Sequence, residues 1–511
     1  MTEFLKKILI IGSPNNNETH FMTGELAARS KTINHGVINQ VDADISKVGY
    51  YHTTVADLLP GQIIHIAKNF NLILLLDQDN YDHFKVFVTT FRLMQDLEEQ
   101  GFPVKYKTTK AAKRLYFWKK YLQENKSFCA FPFVSMHNNR QNGMTTLCSK
   151  SHKPVADAKD IIDWSTNSSY TKIRSDMLNG IKTPEFCQDC YDREAEQQES
   201  TRQFETLEWV ARIKADDPND FLKIKNPLFY EIWPSNKCNI MCRTCFSNYS
   251  HLIEAESKIT KIPISTNVPF AYHDPIKDEG FLDAQRIYWG GGEPTINPDF
   301  YSFLRKCINL KHTSFELMIG TNGMKISNTL LDLLDHFNNV TFCFSFDGYD
   351  KVNDYIRWGS NFNQIVENSR LVRQRGHVVS KQTVFSMYSI SRMHEVFEFY
   401  DREFPEVSSS LLVQVGTGFD DLFMPFNHPC PDIVAESMEK CMKTDIYYMN
   451  GRSLKSQIDL TYNYYSDPNY KCNLDKLREF YHYNDKLDAA RGSNLKDYIP
   501  ELAQARKTYN L

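Results

Sequence analysis

Three cysteines stand in a C-x3-C-x2-C run, Cys238, Cys242 and Cys245. They follow the apolar segment FYEIWPS at 229–235, which predicts a strand, so the run lies in a loop at the carboxyl end of that strand. A [4Fe–4S] cluster normally takes four thiolates, and three leave one iron open to an external ligand. A tetrahedral zinc site needs a fourth protein ligand nearby, and the nearest downstream candidate, His251, stands at no usual zinc spacing. The run therefore favours an iron–sulfur cluster that a cofactor completes.

A second set of cysteines precedes the first in the spacing C-x18-C-x38-C-x2-C: Cys129, Cys148, Cys187 and Cys190. Four thiolates can complete either an iron–sulfur cluster or a zinc site. The two sets account for seven of the twelve cysteines, and no cysteine precedes residue 129. The remaining five show no ligand spacing, and ordinary packing explains them: Cys307, Cys343, Cys430, Cys441 and Cys472.

Strand and helix patterns alternate six times across residues 226–420, which predicts a parallel sheet, open or curled into a partial barrel. Helical patterns separate the strands, for example at 298–309 and 362–374. The predicted strands are FYEIWPS (229–235), RIYWGGG (286–292), FELMIGTNG (315–323), VTFCFSFDG (340–348), SKQTVFSMYS (380–389) and SSLLVQVG (409–416). In such folds ligands bind at the carboxyl ends of the strands.

Glycine-rich and polar motifs stand at the ends of the second, third and fourth predicted strands. They are Gly291-Gly292-Glu293-Pro294, then Thr321-Asn322-Gly323, then Ser345 with Asp347-Gly348, followed by Arg357. Together with the cysteine run, this ordered set resembles the radical S-adenosylmethionine (radical SAM) superfamily over about residues 226–420. The resemblance implies an α/β fold with a partial (β/α)6 barrel, a [4Fe–4S] cluster on the three cysteines, and S-adenosylmethionine as cofactor.

The same resemblance assigns roles to the motif residues. Gly291, Gly292, Glu293 and Pro294 form the stretch that receives the methionine amine, since glycine permits close backbone approach. Arg357 suits the carboxylate because its guanidinium is a planar fork. Ser345 and Asn322 are expected at the carboxylate or the ribose, and Asp347 either joins them or orders the loop. Thr244 stands where many family members have an aromatic residue, which leaves adenine stacking unassigned.

By family chemistry, reductive cleavage of the cofactor gives a 5′-deoxyadenosyl radical that removes hydrogen from substrate, so the resemblance implies an enzyme, with oxidoreductase or transferase class left open. Cys343 shares a strand face with Ser345 because side chains alternate. A small core residue is favoured there over a hydrogen donor to a substrate radical.

The earlier cysteine set resembles the half-length "twitch" version of the SPASM module. The matching features are an opening Cys-x-x-Pro, a hairpin at Gly143, a helix ending at Asn179-Gly180, and a closing C-x-x-C. This implies a second, auxiliary [4Fe–4S] cluster on Cys129, Cys148, Cys187 and Cys190, with zinc as the alternative. The module usually follows the barrel, whereas here it precedes it. Glu194 and the Ser200–Arg202 segment are expected to order the join to the barrel.

Composition sets the remaining limits. With 41% hydrophobic and 24% charged residues and a net charge of −4, the 511-residue chain is an ordinary globular protein with no global preference for nucleic acid or anionic membranes. No apolar run is long enough for a signal peptide or a membrane span, so a cytoplasmic protein is expected. Four domains are predicted: a Rossmann-like α/β unit (1–125), the twitch-like module (126–225), the radical SAM barrel (226–420) and a helical C-terminal extension (421–511).

The first domain is predicted from buried strands at 7–12 and 71–78 and helical patterns at 61–69, 81–100 and 109–124. Its Gly12-Ser13-Pro14-Asn15 turn lacks a full phosphate-binding motif, and a plain turn is favoured. Basic residues alternate with aromatic ones over 105–120. This pattern is compatible with single-stranded nucleic acid, although a solvated helix face with an aromatic underside explains it as well and is favoured.

The leading hypothesis is a radical SAM enzyme with an auxiliary cluster that acts on an unreactive C–H bond. Peptide or protein modification is modestly favoured over a small molecule. The first domain would recognise substrate or a partner, and a reductant such as flavodoxin or ferredoxin would donate the electron. The alternatives are a non-catalytic iron–sulfur electron carrier or binding scaffold, and an RNA-modifying enzyme that uses the basic run. An electron carrier needs no cofactor pocket, so the strand-end motifs argue against it.

Overall fold

The computed structural model describes five strands within residues 1–109 and most of the chain after them. The described residues are 8–11, 34–37, 49–53, 72–75, 104–106, 110–138, 144–151, 153–157, 164–195, 200–247, 249–262, 280–404, 412–415, 423–444 and 451–511. The chain divides into two compact units. The first comprises 1–131, 175–223 and 445–455, and the second comprises 132–174, 224–444 and 456–511.

The strands, in chain order, are β1 Ile8–Ile11, β2 Asn34–Val37, β3 Gly49–Thr53, β4 Leu72–Leu75, β5 Val104–Tyr106, β6 Ser135–Asn138, β7 Met144–Thr146, β8 Ala156–Asp157, β9 Phe229–Ile232, β10 Met241–Cys242, β11 Arg286–Trp289, β12 Glu316–Thr321, β13 Asn339–Ser345, β14 Arg357–Trp358, β15 Val378–Phe385 and β16 Leu412–Val415.

The α-helices are α1 Lys110–Glu124, α2 Phe131–Val134, α3 Ser168–Leu178, α4 Pro184–Ala195, α5 Thr201–Ile213, α6 His251–Thr260, α7 Pro298–Asn309, α8 Asn328–Leu334, α9 Asp350–Ile356, α10 Phe362–Gln374, α11 Met393–Glu403, α12 Pro431–Cys441, α13 Gly451–Tyr465, α14 Leu474–Arg491 and α15 Pro500–Thr508. None of these helices, within the described part of the chain, combines the length and the apolar character needed to cross a membrane.

The first unit contains a five-stranded parallel sheet in the order β2-β3-β1-β4-β5. The two apolar segments predicted as buried strands are β1 and β4, which lie side by side at its centre. This confirms the predicted α/β parallel-sheet class for the first domain. The Gly12–Asn15 turn and the helical patterns at 61–69 and 81–100 lie outside the described residues.

Helices α1, α4 and α5 also lie in the first unit, together with the 3-10 helix Pro218–Lys223. Trp118 of α1 is fully buried, packs on Phe128 and Phe221, and donates its indole N–H to the carbonyl of Ala215 at 2.8 Å. Lys120, on the same helix, faces solvent with 76% of its side chain exposed. This part of the basic run is thus a solvated face with an aromatic underside, as favoured from the sequence.

The second unit is built on a nine-stranded sheet in the order β16-β15-β13-β12-β11-β9-β6-β7-β8. Its six strands from β9 to β16 are all parallel, which confirms the partial (β/α)6 barrel. β6 extends the barrel sheet by pairing parallel with β9, and β7 and β8 follow antiparallel. Within the segment 126–225, the three described strands join the barrel sheet, and 175–223 belong to the first unit. That this segment is a twitch-like module stays a prediction.

Side-chain alternation separates the two faces of the barrel strands. Trp289 packs on Phe300 and Phe303 of α7, so its face of β11 meets the helical layer. Gly290 and the motif that follows it continue from the end of this strand, and the register of β12 and β13 brings Gly320 beside Cys343. The carboxyl ends of these strands therefore meet at one edge of the sheet, where the motifs stand.

The C-terminal helices predicted beyond residue 421 are present as α12 to α15. Helices α14 and α15 form a buried core with α9 and the segment that follows β15, and this core includes Tyr355, Tyr388, Phe480, Tyr481 and Leu502. The extension is thus packed directly on the barrel segment that carries Arg357.

Candidate cofactor site at the strand ends

The cysteine loop is fixed to the barrel by a short antiparallel pairing. β10 pairs with β14, which places Cys242 opposite Arg357. The amide of Arg243 donates to the carbonyl of Ile356 at 2.7 Å. At the other end of the loop, the amide of Cys238 donates to Nδ1 of His251 at 3.3 Å. The sequence placed these cysteines and Arg357 on different strand ends, and the fold brings their backbones into contact.

The three thiols are close enough to influence one another electrostatically. Burial, reinforced by the neighbouring Cys242, raises the pKa of Cys238 to about 12. Burial also raises the pKa of Cys242 and of Cys245. Without a cation these thiols stay protonated at neutral pH, so a metal centre is what would hold them as thiolates. Among the described residues, no group of three or more His, Cys, Asp or Glu side chains has converged into metal-ligand geometry.

The glycine motif lies directly against the start of the cysteine loop. The amide of Gly292 donates to the carbonyl of Ser235 at 2.8 Å, and the amide of Glu293 donates to that of Lys237 at 2.7 Å. A Cβ at residue 292 would lie 2.0 Å from the Lys237 carbonyl oxygen. Gly291 adopts φ +112°, a region that side chains disfavour. Both glycines are therefore needed for this close approach.

Glu293 is buried, with 2% exposure, yet its carboxylate is well supplied with donors. Oε1 accepts from the Thr295 hydroxyl at 2.8 Å and the Thr321 hydroxyl at 2.7 Å, and Oε2 accepts from the Asn322 amide at 2.6 Å. Burial raises the pKa of Glu293, while these hydrogen bonds act in the opposite direction. Pro294 opens the short 3-10 turn that Glu293 caps.

Asn322 connects the third strand end to the cysteine loop. Its side-chain amide donates to Oδ1 of Asn239 at 2.8 Å and lies 3.9 Å from Sγ of Cys238. Ser345, half-buried at the end of β13, has Gln382 as its register partner on β15. The motifs of β11 and β12 therefore converge on the cysteine loop.

Arg357 and Asp347 form a buried ion pair beside the same loop. Nη1 of Arg357 donates to Oδ2 of Asp347 at 2.7 Å, and the amide of Val384 donates to Oδ1 of Asp347 at 3.2 Å. Burial opposes the charge of Arg357, but Cys242 and Asp347 together raise its pKa. Its Nε is buried and has no hydrogen-bond partner among the residues that the structure describes. A buried N–H without a partner is uncommon in folded proteins, so the Nε position needs an explanation.

The second cysteine set is distributed over both units. Cys129, Cys187 and Cys190 belong to the first unit, whereas Cys148 belongs to the second. Cys187 and Cys190 lie one turn apart on α4, and the Thr183 hydroxyl donates to Sγ of Cys187 at 3.5 Å. Burial raises the pKa of Cys187 to about 11 and also raises that of Cys190.

The segment expected to order the join to the barrel lies in the first unit. Arg202, fully buried, binds the Glu194 carboxylate through Nε at 2.8 Å and Nη2 at 2.7 Å. It also donates to the carbonyl of Phe128, next to Cys129, at 2.8 Å. Ser200 caps α5. Glu194 and Arg202 thus fix the backbone beside Cys129.

One site residue escaped sequence reasoning. Arg243, between the second and third cysteines of the run, is completely buried. Its only sequence signal is a charged residue between two ligand candidates, which would usually face solvent. Its partners lie more than a hundred residues further along the chain, so the fold alone reveals its role.

Comparison with known proteins finds a family match within the second unit. Residues 232–399 match the family described as the radical SAM superfamily. An uncharacterized protein of Methanothermobacter thermautotrophicus is 30% identical over 115 residues, which are 22% of this chain and 43% of that protein. The chain therefore spans less than half the length of the curated relative that it matches.

Two solved structures illustrate the structural similarity. Native anSMEcpe with bound AdoMet matches at 17% identity and a TM-score of 0.33, over 43% of this chain and 61% of that one. Streptococcus suis SuiB bound to S-adenosylmethionine matches at 17% identity and a TM-score of 0.30, over 66% of each chain. These scores are too low to carry either protein's function to this chain.

Proposed function

We propose that this chain, whose residues 232–399 form a radical SAM superfamily domain, holds a [4Fe–4S] cluster on Cys238, Cys242 and Cys245 and binds S-adenosylmethionine beside it. When bound, this pair supplies one-electron cleavage of the cofactor and a 5′-deoxyadenosyl radical that removes a hydrogen atom from substrate. The observation that carries the proposal is the pairing of Cys242 with Arg357, which brings a buried cation with an unpartnered Nε to the cysteine loop.

The residues at this edge fit the two charged ends of an amino acid. Nε of Arg357 is proposed to bind the carboxylate, while Nη1 stays with Asp347, which orients the guanidinium. Oε2 of Glu293 has one donor among the described residues and can accept from an ammonium group. The backbone at Gly291 and Gly292 supplies further acceptors where no side chain intervenes.

The chain also supports thiolates and the nucleoside end. The positive charge of Arg357 lowers the pKa of the Cys242 thiol against the effect of burial, which helps the thiolate form. Asn322 and Ser345 are proposed to contact the ribose or the carboxylate. Asn322 already lies beside Cys238. The Gly292 approach and the Asn322 contact together keep the loop against the strand ends.

We further propose an auxiliary [4Fe–4S] cluster on Cys129, Cys148, Cys187 and Cys190, with zinc as the alternative. Support comes from the four-thiolate spacing and from the burial of Cys129 and Cys190, each 7% exposed. A metal centre bound by the set would hold these thiols as thiolates and release their protons. A complete ligand set implies an electron relay or a structural role.

The substrate class proposed is a peptide or protein, with a small molecule as the alternative. Support comes from the resemblance of the earlier cysteine set to the twitch and SPASM type, whose members often modify peptides. The first unit is proposed to recognise substrate or partner, and a flavodoxin or ferredoxin to supply the electron. RNA is the less favoured substrate, because Trp118 of the basic run is committed to the core. Weak dependence of substrate binding on salt would agree with this order of preference.

The direct test is anaerobic reconstitution followed by reduction with S-adenosylmethionine. We expect about eight irons and eight sulfides per chain, from two clusters of four, and release of 5′-deoxyadenosine. Cys238→Ala should abolish the release, whereas Cys307→Ala, at a buried cysteine outside both sets, should retain it. About four irons with one zinc would contradict the auxiliary cluster. Cluster binding without 5′-deoxyadenosine from wild-type protein would leave the electron carrier as the better account.

A further inference from the structure

The Arg243 side chain makes most of its hydrogen bonds to the C-terminal extension. Its guanidinium is completely buried and lies over the Tyr355 ring, 3.6 Å from the ring centroid. It makes four hydrogen bonds: Nε to the Tyr355 carbonyl at 2.9 Å, Nη1 to Asn484 at 3.1 Å, and Nη2 to Asp488 at 2.6 Å and Ser493 at 2.9 Å. Three of these four partners are on α14 or just beyond it.

Two more contacts join α14 to the same region. The Tyr483 hydroxyl donates to the backbone carbonyl of Arg243 at 2.7 Å. Arg491 forms a two-point ion pair with Glu256 of α6, the helix that follows the cysteine loop, with both distances 2.7 Å. The loop is therefore held through the Arg243 side chain, through its backbone, and through the next helix.

Helix α14 is well suited to act as a rigid support. Asn473 caps its start, Leu477 and Phe480 are buried, and Tyr481 donates to the Leu502 carbonyl at 2.7 Å. The loop's strand pairing is limited to the two residues of β10 with β14, beside single hydrogen bonds to His251 and Asn322. A short loop of this kind loses conformational entropy when it binds a metal centre, and a support that orders it beforehand reduces that loss.

We propose that α14 is a working part of the cluster site: through Arg243 it holds the Cys238–Cys245 loop in the arrangement that retains the cluster. This inference rests on the proposed function, in which these cysteines hold a cluster. Arg243 and Tyr483 are positioning residues, since they act through the loop and supply no ligand. The C-terminal extension, which had no predicted role, thereby acquires one.

The test uses two matched substitutions on the same helix. Tyr483→Phe removes the hydrogen bond to Arg243, and Tyr481→Phe removes an equally short hydroxyl–carbonyl bond that is directed at Leu502. The measurements on reconstituted full-length protein are the rate of iron release to a chelator and the change in the cluster EPR spectrum on adding S-adenosylmethionine. Only a cluster with an open iron should respond to the cofactor, so the EPR change reports this cluster rather than the auxiliary one.

We expect Tyr483→Phe to release iron from the responsive cluster about fivefold faster, the factor for one net hydrogen bond of about 1 kcal/mol. Tyr481→Phe should stay near the wild-type rate although its apoprotein loses similar thermal stability. A second pair of variants, with a larger expected effect, repeats the comparison. Asp488→Asn weakens the ion pair with Arg243, and its control, Asp485→Asn, weakens an ion pair with the surface residue Arg506. Hydrogen exchange of the apoprotein should rise at 238–245 in Tyr483→Phe and Asp488→Asn alone.

Equal iron release in Tyr483→Phe and Tyr481→Phe, with unchanged exchange at 238–245, would overturn the role of α14. If Asp488→Asn does not fold, the tyrosine pair still decides, since each variant removes one oxygen atom. A wild-type protein whose cluster never responds to S-adenosylmethionine would instead contradict the proposed function. The two failures are therefore distinguishable.

Discussion

Replacement of Arg357 by lysine tests what the planar guanidinium contributes to cofactor binding beyond its positive charge. Arg357 is 9% exposed and pairs with Asp347 through Nη1 at 2.7 Å, while its Nε has no partner within the described part of the chain. A lysine retains the positive charge and can reach one carboxylate, so the Asp347 pair can survive. It cannot bind Asp347 and a second carboxylate in the same planar arrangement.

The expected loss follows from that one missing contact. A hydrogen bond to a charged group contributes about 1.5–3 kcal/mol, which corresponds to about 10- to 150-fold in a dissociation constant. Arg357→Lys should therefore weaken S-adenosylmethionine binding by about that factor. Cluster content should change little, since the arginine supplies no ligand.

Anaerobic equilibrium binding of S-adenosylmethionine to the reconstituted protein measures this loss directly. The matched control is Arg370→Lys, which alters a two-point pair with Glu403 on the barrel exterior, where the arginine side chain is 52% exposed. That variant should bind the cofactor as wild type does. Iron content and the apoprotein melting temperature show whether either variant is damaged.

The reasoning is refuted if Arg357→Lys binds S-adenosylmethionine within threefold of wild type while iron content is unchanged. Asp347→Asn gives a second arm. It removes the group that orients the guanidinium, so weaker binding is expected there too, although Arg357 remains.

The other predictions concern close packing and buried charge. Gly292→Ala places a Cβ 2.0 Å from the Lys237 carbonyl oxygen, so the backbone must shift. We therefore expect the free energy of unfolding to fall by about 1–3 kcal/mol and the protein to retain less iron. Thermal melting of the apoprotein and iron analysis would measure these two effects. Glu293→Gln replaces one accepting oxygen by an N–H₂ group that faces other N–H and O–H donors. A hydrogen bond is lost, so the apoprotein should be destabilised by about 1–3 kcal/mol. An unchanged melting temperature would argue against this carboxylate network. Lys381 is 1% exposed, and burial lowers its pKa from 10.5 to about 7. Between those pH values the unfolded chain binds a proton that the folded chain does not, so stability should rise with pH, by at most about 5 kcal/mol. Urea unfolding at pH 7 and pH 9 tests this with Lys381→Met. The variant should be more stable than wild type at pH 7, and its stability should not rise between pH 7 and pH 9. A pH slope like that of wild type would contradict this.

The barrel could be predicted because its signals are local. Short strands such as 229–232 and 286–289, rich in aromatic and aliphatic residues, are almost entirely buried on both faces. Six such segments separated by helical patterns leave few alternatives to a parallel sheet. The motifs at Gly291 and Asn322 follow their strands directly, so the meeting of strand ends was predictable as well. The location of the auxiliary cysteines could not be predicted in this way, because their spacing does not indicate to which unit Cys148 belongs.

By itself, the sequence determined the residue types, the order of the strands along the chain and the motif at each strand end. Only the tertiary structure decided that Cys242 lies opposite Arg357, that β6 extends the barrel sheet, and that Arg243 is buried against Asp488. The physical reason is distance along the chain. Periodicity and propensity act over a few residues, whereas Arg243 and Asp488 are 245 positions apart and meet only because α14 buries its apolar side on the barrel.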